Sequence, residues 1–368
     1  MTDIQLLAVL ALQNVKNIGD ATAKKLIQKC GSAENVFQEK KSTLLKIDGI
    51  GEFTLKDLNI HNHFKAAEEE LKFIKENNIQ FSYFTDNDYP ERLKHCFDSP
   101  ILIFKTGSID LNNQKIISIV GTRQITSYGT SFCEELIDEL SPLNPIIISG
   151  FAYGVDICAH KAAIKNNLQT IGCLAHGLNQ VYPQVHKKYI SKIEENGGFI
   201  TDFWSKDTPE RNNFLRRNRI IAGLSEATIV IESAEKGGSL VTADIANSYN
   251  REVFAVPGRA KDKFSLGCNN LIKKQQAHML TSAADLIYIL GWELKDEKNT
   301  KNIQKQLFVE LDESEKNIYD YLLRNGKELI DIIAMECQLP IHKTSTILLN
   351  MELKGVIRPL PGKLFEAI

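Results

Sequence analysis

Arginine and one aromatic residue are concentrated in a single short segment of this chain. Residues 211–219 read R-N-N-F-L-R-R-N-R, whereas the whole 368-residue chain has a formal net charge of −2. A guanidinium group is planar and presents a fork of donors that fits phosphate oxygens, and an aromatic ring such as that of Phe214 can stack on an unpaired base. The segment therefore predicts a binding site for single-stranded nucleic acid.

Two structural explanations of the same arginines stay open. The segment could be a solvated face of a helix, because isolated basic clusters are common and only their surroundings make them phosphate sites. Arg217 or Arg219 could instead pair inside the protein, since a buried charge requires a partner. The acidic residues considered as internal partners are Asp156, Asp202 and Glu232.

Five short apolar segments, each followed by a turn that contains glycine or small polar residues, predict the element that would position these arginines. Stretches of helical character separate the segments, and fully apolar strands that alternate with helices indicate a parallel sheet covered on both faces. Ligands of such sheets bind beyond the carboxyl ends of the strands, where these turns lie. The predicted strands are 115–120, 145–148, 170–174, 227–231 and 252–256.

None of the turns matches a nucleotide-binding fingerprint. Gly121 begins no G-x-G-x-x-G, the chain contains no G-x-x-x-x-G-K-[ST], and Gly150 with Gly154 gives only G-x-x-x-G. Glycine after a strand is also what a tight strand-to-helix turn needs, whatever the turn binds. Each turn taken alone therefore gives weak support for a phosphate site.

Taken in order, however, these turns form a series of motifs that covers about half the chain. They are 120–123 (VGTR) with 128–129 (YG), 149–156 (SGFAYGVD) with 159–160 (AH), 177–178 (GL) with 182–183 (YP), 217–225 (RNRIIAGLS), 238–240 (GSL) with 242–243 (TA), 256–258 (VPG) and 267–272 (GCNNLI). This series resembles the DNA-processing protein A family, called DprA or Smf. The resemblance extends from about residue 89 to about residue 290.

The chain departs from the family pattern in several turns. The family's F-P-x-R-N-R reads F-L-R-R-N-R at 214–219, so a proline is lost while the aromatic residue and the arginines remain. The G-C-G-L-D turn becomes A-H-G-L-N at 175–179, His186 replaces an asparagine and Gln276 replaces a glycine. These differences concern the shape of loops rather than the arginine cluster.

The resemblance implies which residues meet DNA. Arg123, Arg211, Arg217 and Arg219 would hold the backbone, and Phe214 would stack on a base. Backbone N–H groups at helix starts favour phosphate, and base stacking does not depend on sequence, so general chemistry agrees with this assignment. The residues expected to bind nucleic acid are Gly121, Thr122, Arg123, Ser149, Gly150, Arg211, Phe214, Arg216, Arg217, Asn218, Arg219, Gly238 and Ser239.

The resemblance also implies a function. Family members bind single-stranded DNA and load the recombinase RecA on it. We therefore expect a recombination mediator that protects incoming DNA during natural transformation. The expected partners are single-stranded DNA, RecA, a single-strand-binding protein and a second copy of the chain. No catalytic residue, cofactor or metal ion is expected.

An enzymatic alternative is a nucleotide hydrolase of the lysine-decarboxylase-like Rossmann fold. Its motif P-G-G-x-G-T-x-x-E would need glycine and threonine where this chain has Leu240 and Val241, and Lys236 replaces the proline. Asp244 does stand at the position of the acid. A carboxylate without the phosphate-binding glycine lacks the geometry of a general acid or base, so the sequence favours a binding protein.

Composition indicates a water-soluble, multidomain chain. Hydrophobic residues make up 43% and charged residues 24%, and no apolar run approaches the roughly 20 residues of a membrane span. Residues 1–3 read M-T-D, which is not the basic start of a signal peptide. Seven cysteines without a C-x-x-C motif favour reduced thiols in the cytoplasm over a zinc site or disulfides.

The first hundred residues contain an internal repeat. Residues 15–26 and 47–58 share an apolar-x-x-I-G pattern followed by a predicted helix. The pattern is similar to helix-hairpin-helix units, in which amides at a helix start meet a DNA phosphate without reading bases. A purely structural use of the repeat stays equally open.

A polar, charged segment at 295–306 predicts a linker before a C-terminal module. Helices predicted at 313–323, 328–335 and 341–353, with a hairpin from 355–357 to 364–365 through Pro361-Gly362, indicate a winged helix. Residues 342–345 would open its recognition helix. Because the module carries at least as much acid as base, protein contact or a lid role is as well supported as duplex binding.

The expected fold class is thus α/β, with a Rossmann-like parallel sheet at its core. The expected domains are a helical helix-hairpin-helix (SAM-like) domain at 1–80, the Rossmann-like DNA-binding domain at 81–294, the linker at 295–306 and the winged helix at 307–368.

Overall fold

A computed structural model describes residues 1–58, 62–111, 115–292, 311–360 and 364–367. The chain forms two compact units, Met1–Leu294 and Lys295–Ile368. The predicted linker at 295–306 lies outside the described residues.

A nine-stranded sheet forms the centre of the first unit, with strand order β1-β2-β6-β5-β4-β3-β7-β8-β9. The strands from β3 to β9 pair in parallel, whereas β1 and β2 are antiparallel additions at one edge. The predicted parallel sheet is confirmed. The strands are β1 Gln80–Tyr83, β2 Leu102–Gly107, β3 Ile116–Val120, β4 Ile146–Ser149, β5 Thr170–Cys173, β6 Gly197–Thr201, β7 Ala227–Val230, β8 Glu252–Ala255 and β9 His278–Met279.

Helices cover both faces of this sheet, which explains why its central strands β3, β4, β5 and β7 are buried at every position and are mostly apolar. In β3, Ile117 and Ile119 pack into one hydrophobic cluster and Ile116 and Val120 into another. The helices α7, α8 and α13 contribute to the first cluster, and α10, α11 and α12 contribute to the second. The helices that follow β1 are α6 Glu91–Lys94, α7 Ser127–Leu140, α8 Val155–Lys165, α9 Ile190–Glu195, α10 Arg211–Leu224, α11 Gly238–Ser248, α12 Leu266–Lys273 and α13 Ala283–Leu290.

The strands β1, β2, β6 and β9 were not predicted from the sequence. Strand β6 reads G-G-F-I-T, and glycine normally weakens a strand pattern. Here the glycines allow close approach of neighbouring backbones: a Cβ on Gly198 would lie 1.8 Å from the carbonyl oxygen of Thr106. Strand β9 has only two residues, too few for a periodic signal.

Five helices precede the sheet, and the two predicted repeats differ among them. In the first repeat Gly19 caps the start of α2, as the pattern predicted. The second repeat forms successive turns over 52–58 rather than a helix. Backbone hydrogen bonds there span three residues, as from the Leu58 N–H to the Leu55 carbonyl, so that part of the prediction was wrong. These turns bury Ile50, Leu55 and Leu58. The helices are α1 Asp3–Gln13, α2 Asp20–Cys30, α3 Ala33–Gln38, α4 Lys41–Leu44 and α5 Asn62–Glu76.

The second unit contains three helices and a three-stranded sheet of order β10-β12-β11, the winged-helix arrangement expected from the sequence. The helix predicted at 328–335 needs correction, because Glu328–Leu329 forms a short strand that pairs with β12 before the helix starts. The predicted turn residues Pro361-Gly362 lie outside the described residues. The elements are α14 Glu313–Asn325, β10 Glu328–Leu329, α15 Ile330–Glu336, α16 Ile341–Leu353, β11 Ile357–Leu360 and β12 Leu364–Ala367.

All seven cysteines are free thiols, and six of them are buried. Within the described residues, no helix is long and apolar enough to cross a membrane.

Candidate nucleic-acid interface

The site follows from the order of the strands. The chain runs outward from β3 through β4, β5 and β6 on one side, then crosses over to place β7 and β8 on the other side. The loops that leave β3 and β7 therefore diverge, and a crevice opens beyond the carboxyl ends of the two strands. Ligands of open α/β sheets bind at such a point.

A cavity of about 640 Å³ occupies this crevice. Four basic residues and one acidic residue line it. Its walls are the turn after β3, the loop after β7 and the first half of α10. Residues in the lining include Gly121, Thr122, Arg123, Ala152, Asp156, Tyr182, Pro209, Arg211, Phe214, Leu215, Arg217, Asn218, Ser233, Lys236, Gly237, Gly238 and Ser239.

The helix α10 places the arginine segment at the mouth of this cavity. Its second half, Ile220 to Leu224, is buried against the sheet, whereas residues 211–216 are exposed or half-buried. The apolar second half thus anchors the helix against the sheet, while its polar, basic start projects toward solvent. The solvated-face hypothesis fits only this first half.

Close contact between two turns fixes Arg123. The N–H of Thr122 donates to the carbonyl of Glu232 over 2.8 Å, and the N–H of Val155 donates to the carbonyl of Thr122 over 3.1 Å. Gly154 has a φ of +76°, and a Cβ there would lie 2.2 Å from the Thr122 carbonyl oxygen. Glycine is therefore required at 154, both for its backbone angle and for the approach of the turn that carries Arg123.

Cations and a second aromatic ring surround Phe214. The guanidinium carbons of Arg123 and Arg217 lie 4.8 Å and 5.8 Å from its ring centroid. The ring of Tyr182 meets it edge-on, with 5.8 Å between centroids. This cluster combines the two groups that recognise single strands, a ring for bases and guanidinium groups for phosphates.

Arg217 forms the floor of the cavity and is buried. It donates to the carbonyl oxygens of Gly150, over 2.6 Å, and of Cys173. A Cβ on Gly150 would lie 2.6 Å from both the guanidinium and the Asp156 carboxylate, so glycine is needed for these two groups to approach.

Two opposite charges, Asp156 and Arg217, are buried near each other in this floor. Burial raises the pKa of Asp156, and the neighbouring Arg217 opposes that shift. Burial likewise lowers the pKa of Arg217, which Asp156 opposes, yet an arginine stays protonated in proteins. Arg217 therefore supplies a fixed positive charge beneath the cavity, accompanied by one carboxylate.

The start of α11 forms the opposite wall. Ser239 donates its hydroxyl to Ser233 over 2.9 Å, and the amide of Asn218 donates to the Gly238 carbonyl over 3.3 Å. A Cβ on Gly238 would meet nothing within 4 Å. The N–H groups of Gly238 and Ser239 at this helix start have no helical acceptors, so they can meet an anion, whereas the N–H of Leu240 donates to the Gly237 carbonyl.

The structure brings nine of the thirteen predicted residues to this cavity. Ser149 and Gly150 lie behind it, since the buried Ser149 hydroxyl donates to the Ile119 carbonyl over 2.6 Å. Arg216 and Arg219 line a different cavity. The nine are Gly121, Thr122, Arg123, Arg211, Phe214, Arg217, Asn218, Gly238 and Ser239.

Arg219 contacts the N-terminal helices instead of this cavity. Its guanidinium lies 2.9 Å from the carboxylate of Asp20 and 2.5 Å from that of Asp202, which was among the internal partners considered from the sequence. It also donates to the Asp98 carbonyl. These carboxylates raise the pKa of Arg219. Arg219 thus joins α10 to the helical region.

Tyr182 and Lys236 were absent from the predicted site, although both line the cavity. Each had a signal in the sequence. Tyr182 belongs to the Tyr-Pro motif, and Lys236 directly precedes the two glycines of the loop after β7. Asp244, the acid of the enzymatic alternative, is exposed on α11 and does not line the cavity.

Family models identify both units. The model described as DNA recombination-mediator protein A matches residues 80–291, more than half of the chain. The model described as the DprA winged helix domain matches residues 310–363.

The chain belongs to the DprA/Smf family.

Similar proteins agree with this membership. The DprA/Smf relative called Protein Smf from Synechocystis sp. is 32% identical over 290 residues, which cover 77% of this chain and 72% of that protein. Protein Smf from Escherichia coli is 33% identical over 306 residues, 81% of this chain and 80% of that protein. DNA processing protein DprA from Streptococcus pneumoniae is 35% identical over 202 residues, 55% of this chain and 71% of that protein.

Solved DprA structures share the fold. The X-ray structure of DprA from Streptococcus pneumoniae superposes with a TM-score of 0.66 at 29% identity, covering 78% of this chain and 98% of that chain. A structure of DprA from Helicobacter pylori, described for its single-stranded DNA binding mode, superposes with a TM-score of 0.52 at 30% identity, covering 57% and 95%.

Proposed function

We propose that this DprA/Smf protein binds single-stranded DNA in the cavity between the ends of β3 and β7, without sequence preference. The observation that carries the proposal is the contact of Phe214 with both Arg123 and Arg217 at the wall of that cavity. An aromatic ring stacks on any unpaired base, and guanidinium groups meet the backbone on either side.

The shape and charge of the cavity support single strands over duplex. Base stacking on Phe214 requires an unpaired base, because the bases of a duplex stack on each other. The lining favours phosphate because it contains more basic than acidic residues. The described residues of the lining include one acid, Asp156, and four bases, Arg123, Arg211, Arg217 and Lys236.

Binding is tested by fluorescence anisotropy with a labelled oligothymidine and with a blunt duplex of equal length. We expect tighter binding of the single strand, and affinity that falls as salt rises, because each phosphate contact displaces counterions. Equal affinity for both ligands, or an affinity that does not respond to salt, would contradict the proposal.

We further propose that the protein acts as a recombination mediator in the cytoplasm. As a homodimer it would cover incoming strands during natural transformation and hand them to RecA past a single-strand-binding protein, with no nucleotide consumed. A site that holds the backbone by separate arginines and stacks bases without selection can release a strand in small steps, as a loading factor requires.

The mediator role is tested by RecA-dependent ATP hydrolysis on strands already covered by single-strand-binding protein. Hydrolysis should begin sooner when the protein is present. If the lag is unchanged, the mediator role fails and only DNA binding survives. Light scattering of the purified protein, which gives its molar mass, tests the homodimer separately.

We also propose that the protein is not an enzyme. Among the described residues, Asp156 is the only carboxylate that lines the cavity, and one of its oxygens already accepts a hydrogen bond from the N–H of Ala152 over 3.2 Å. Incubation with nucleoside monophosphates should release no free base. Release that disappears in Asp244→Asn would support the enzymatic alternative instead.

A further inference from the structure

Two further cavities continue from the proposed DNA site along α10. Leu215 lines both the 640 Å³ cavity and a neighbouring one of about 490 Å³. Arg216, the next residue, lines the second cavity and a third of about 270 Å³. The second and third cavities also share Gln13, Ile18, Gly19 and Asp20, and we call them together the hairpin groove.

The hairpin groove is formed by the first helix-hairpin-helix repeat on one side and by α10 with the segment after β6 on the other. Gly19 precedes α2, so the first N–H groups of that helix have no acceptor within it. A Cβ on Gly19 would meet nothing within 4 Å, and its φ of −83° suits any residue. The fold itself therefore does not require glycine at position 19. A ligand backbone that approaches this helix start closely would require it, because a side chain would occupy the same space.

Exposed charge in the hairpin groove is positive. Lys16 and Lys206 are exposed, and the side chain of Arg216 is 58% exposed. Two of the four acidic residues of the groove face inward by contrast, because the side chains of Asp20 and Asp202 are only 13% and 2% exposed, and the other two, Asp98 and Asp207, are half-buried. An anion in solvent therefore meets cations first.

Each carboxylate of the groove already has a partner. Asp20 accepts from the N–H of Ile101 over 2.9 Å and from Arg219. Asp202 accepts from Arg219 through one oxygen, whereas its other oxygen is buried without a hydrogen-bond partner among the described residues. Asp98 accepts from the hydroxyl of Tyr249. The remaining acid, Asp207, accepts from the N–H of Trp204 over 2.8 Å.

One buried donor of the groove is left over. The Nε–H of Arg219 is buried and has no hydrogen-bond partner among the described residues, although the rest of its guanidinium is engaged. Arg219 lines the groove beside Gly19. A buried donor without a partner is uncommon, and an acceptor from outside the protein would satisfy it.

We propose that the hairpin groove binds backbone phosphates of the same DNA strand that enters the main cavity. This inference rests on the proposed function, since the strand would pass from Phe214 over Leu215 and Arg216 to the start of α2. The first repeat takes part in binding, whereas the second repeat, which forms turns, has a structural use only.

Binding by both sites should depend on the length of the strand. A short oligothymidine of about five nucleotides fills the main cavity only, whereas one of about fifteen also reaches the hairpin groove. The double variant Lys16→Gln, Lys206→Gln should bind the long oligonucleotide about tenfold or more weakly. Its salt slope should be smaller by about 0.7 for each phosphate that a lysine no longer neutralises, about 1.4 in all, with short-oligonucleotide affinity unchanged.

A matched control replaces two exposed lysines of the same helical region that line none of the three cavities. Lys29→Gln with Lys46→Gln changes the net charge equally and should bind both oligonucleotides as the unmodified chain does. If the control loses as much affinity for the long oligonucleotide as the groove variant, net charge alone explains the loss and the inference is overturned.

A second pair of variants tests the hairpin itself. Gly19→Asp and Gly19→Asn both place a good helix-capping residue before α2, and they differ by one negative charge. Only Gly19→Asp should weaken binding of the long oligonucleotide, by about tenfold relative to Gly19→Asn. Equal affinities of the two would show that no phosphate lies near the hairpin.

The two oligonucleotides also separate this inference from the proposed function. If the unmodified chain binds neither oligonucleotide, the proposed function fails. If it binds both with equal affinity, the main cavity binds DNA and the hairpin groove does not.

Discussion

At the scale of single residues, the basic groups of the main cavity differ in how firmly they are held. Hydrogen bonds to two backbone carbonyls fix Arg217, so its charge is in place before any ligand arrives. Arg123 is exposed, and the ring of Phe214 is its neighbour in the cavity. Replacing Arg217 should therefore disturb the fold, whereas replacing Arg123 should disturb binding alone.

Arg123→Ala should weaken binding of single-stranded DNA by tenfold or more without changing the melting temperature. A charged hydrogen bond to phosphate is worth about 1.5 to 3 kcal/mol, and the exposed side chain adds little to stability. Anisotropy titration beside a thermal melt measures both. Asp244→Asn is the control and should bind normally; an unchanged affinity in Arg123→Ala would remove this arginine from the site.

Arg217→Met should lower the free energy of unfolding by about 3 to 5 kcal/mol, because it leaves the buried Asp156 without its counter-charge. Urea denaturation measures the loss. The double variant Arg217→Met, Asp156→Asn should recover much of it, since the unpaired charge is then gone. Additive losses in the double variant would show that the two groups do not interact.

His160 should make stability depend on pH. Burial lowers its pKa to about 3, and the nearby positive charge of Arg217 acts in the same direction, from about 6.5 in the unfolded chain. The folded protein holds this histidine neutral, so its contribution is complete above about pH 6.5 and is lost as the pH falls toward 3. Between pH 6.5 and 5 the loss should approach about 2 kcal/mol.

Urea denaturation at pH 7.5 and pH 5 measures this effect. His160→Gln, which retains a polar group near Thr170, should be less stable at pH 7.5 but lose less on acidification. If its stability falls as steeply between the two pH values as that of the unmodified chain, another group is responsible.

At the scale of elements, the site depends on loops that approach each other closely. The turn after β3 and the loop before α8 meet at Gly154, where a side chain would collide with backbone atoms of Thr122 and Arg123. Backbone atoms cannot rotate away as the end of a flexible side chain can. The start of α11 has no such contact at Gly238.

Gly154→Ala should therefore lower both stability and DNA affinity, because its positive φ and the collision displace the turn that carries Arg123. A loss of at least about 1 kcal/mol is expected from the backbone angle alone. Gly238→Ala, measured in the same denaturation and anisotropy experiments, should keep stability nearly unchanged. Similar stability losses in the two variants would mean that the collision at 154 is relieved elsewhere.

Some elements of the fold and the site could be predicted from the sequence, and others could not. The strands around the crevice were predictable because burial on both faces makes each one mostly apolar, and the arginine segment was visible as a local cluster. The pairing of Arg219 with Asp202 was considered from the sequence, but its pairing with Asp20 was not, because Asp20 is 199 residues away in sequence and belongs to the first repeat. Strand β6 was missed for a related reason: its glycines fit neighbouring backbones that only the folded sheet brings together.

At the scale of the whole molecule, the net charge of −2 conceals a local excess of positive charge. Association with a polyanion is governed by the charges near the contact, since salt screens more distant ones over about 10 Å. The winged-helix unit has more acidic than basic residues among those described, so it adds no comparable surface.

The dependence of DNA affinity on salt should consequently come from the first unit. Three to five phosphate contacts predict a log–log slope of about −2 to −3.5. Deletion of residues 295–368, which removes the second compact unit, should leave this slope unchanged. A markedly shallower slope in the shortened chain would assign phosphate contacts to the winged helix.

The ion pair between Asp20 and Arg219 has a consequence for local motion. It ties the first turn of α2 to the helix that carries Phe214, so a fluctuation that opens one end releases a constraint on the other. Coupling of this kind is reciprocal: if an ordered α2 improves DNA binding, bound DNA must stabilise α2 by the same free energy. Amide hydrogens of α2 should then exchange with solvent more slowly once a strand is bound, although that helix lies outside the main cavity.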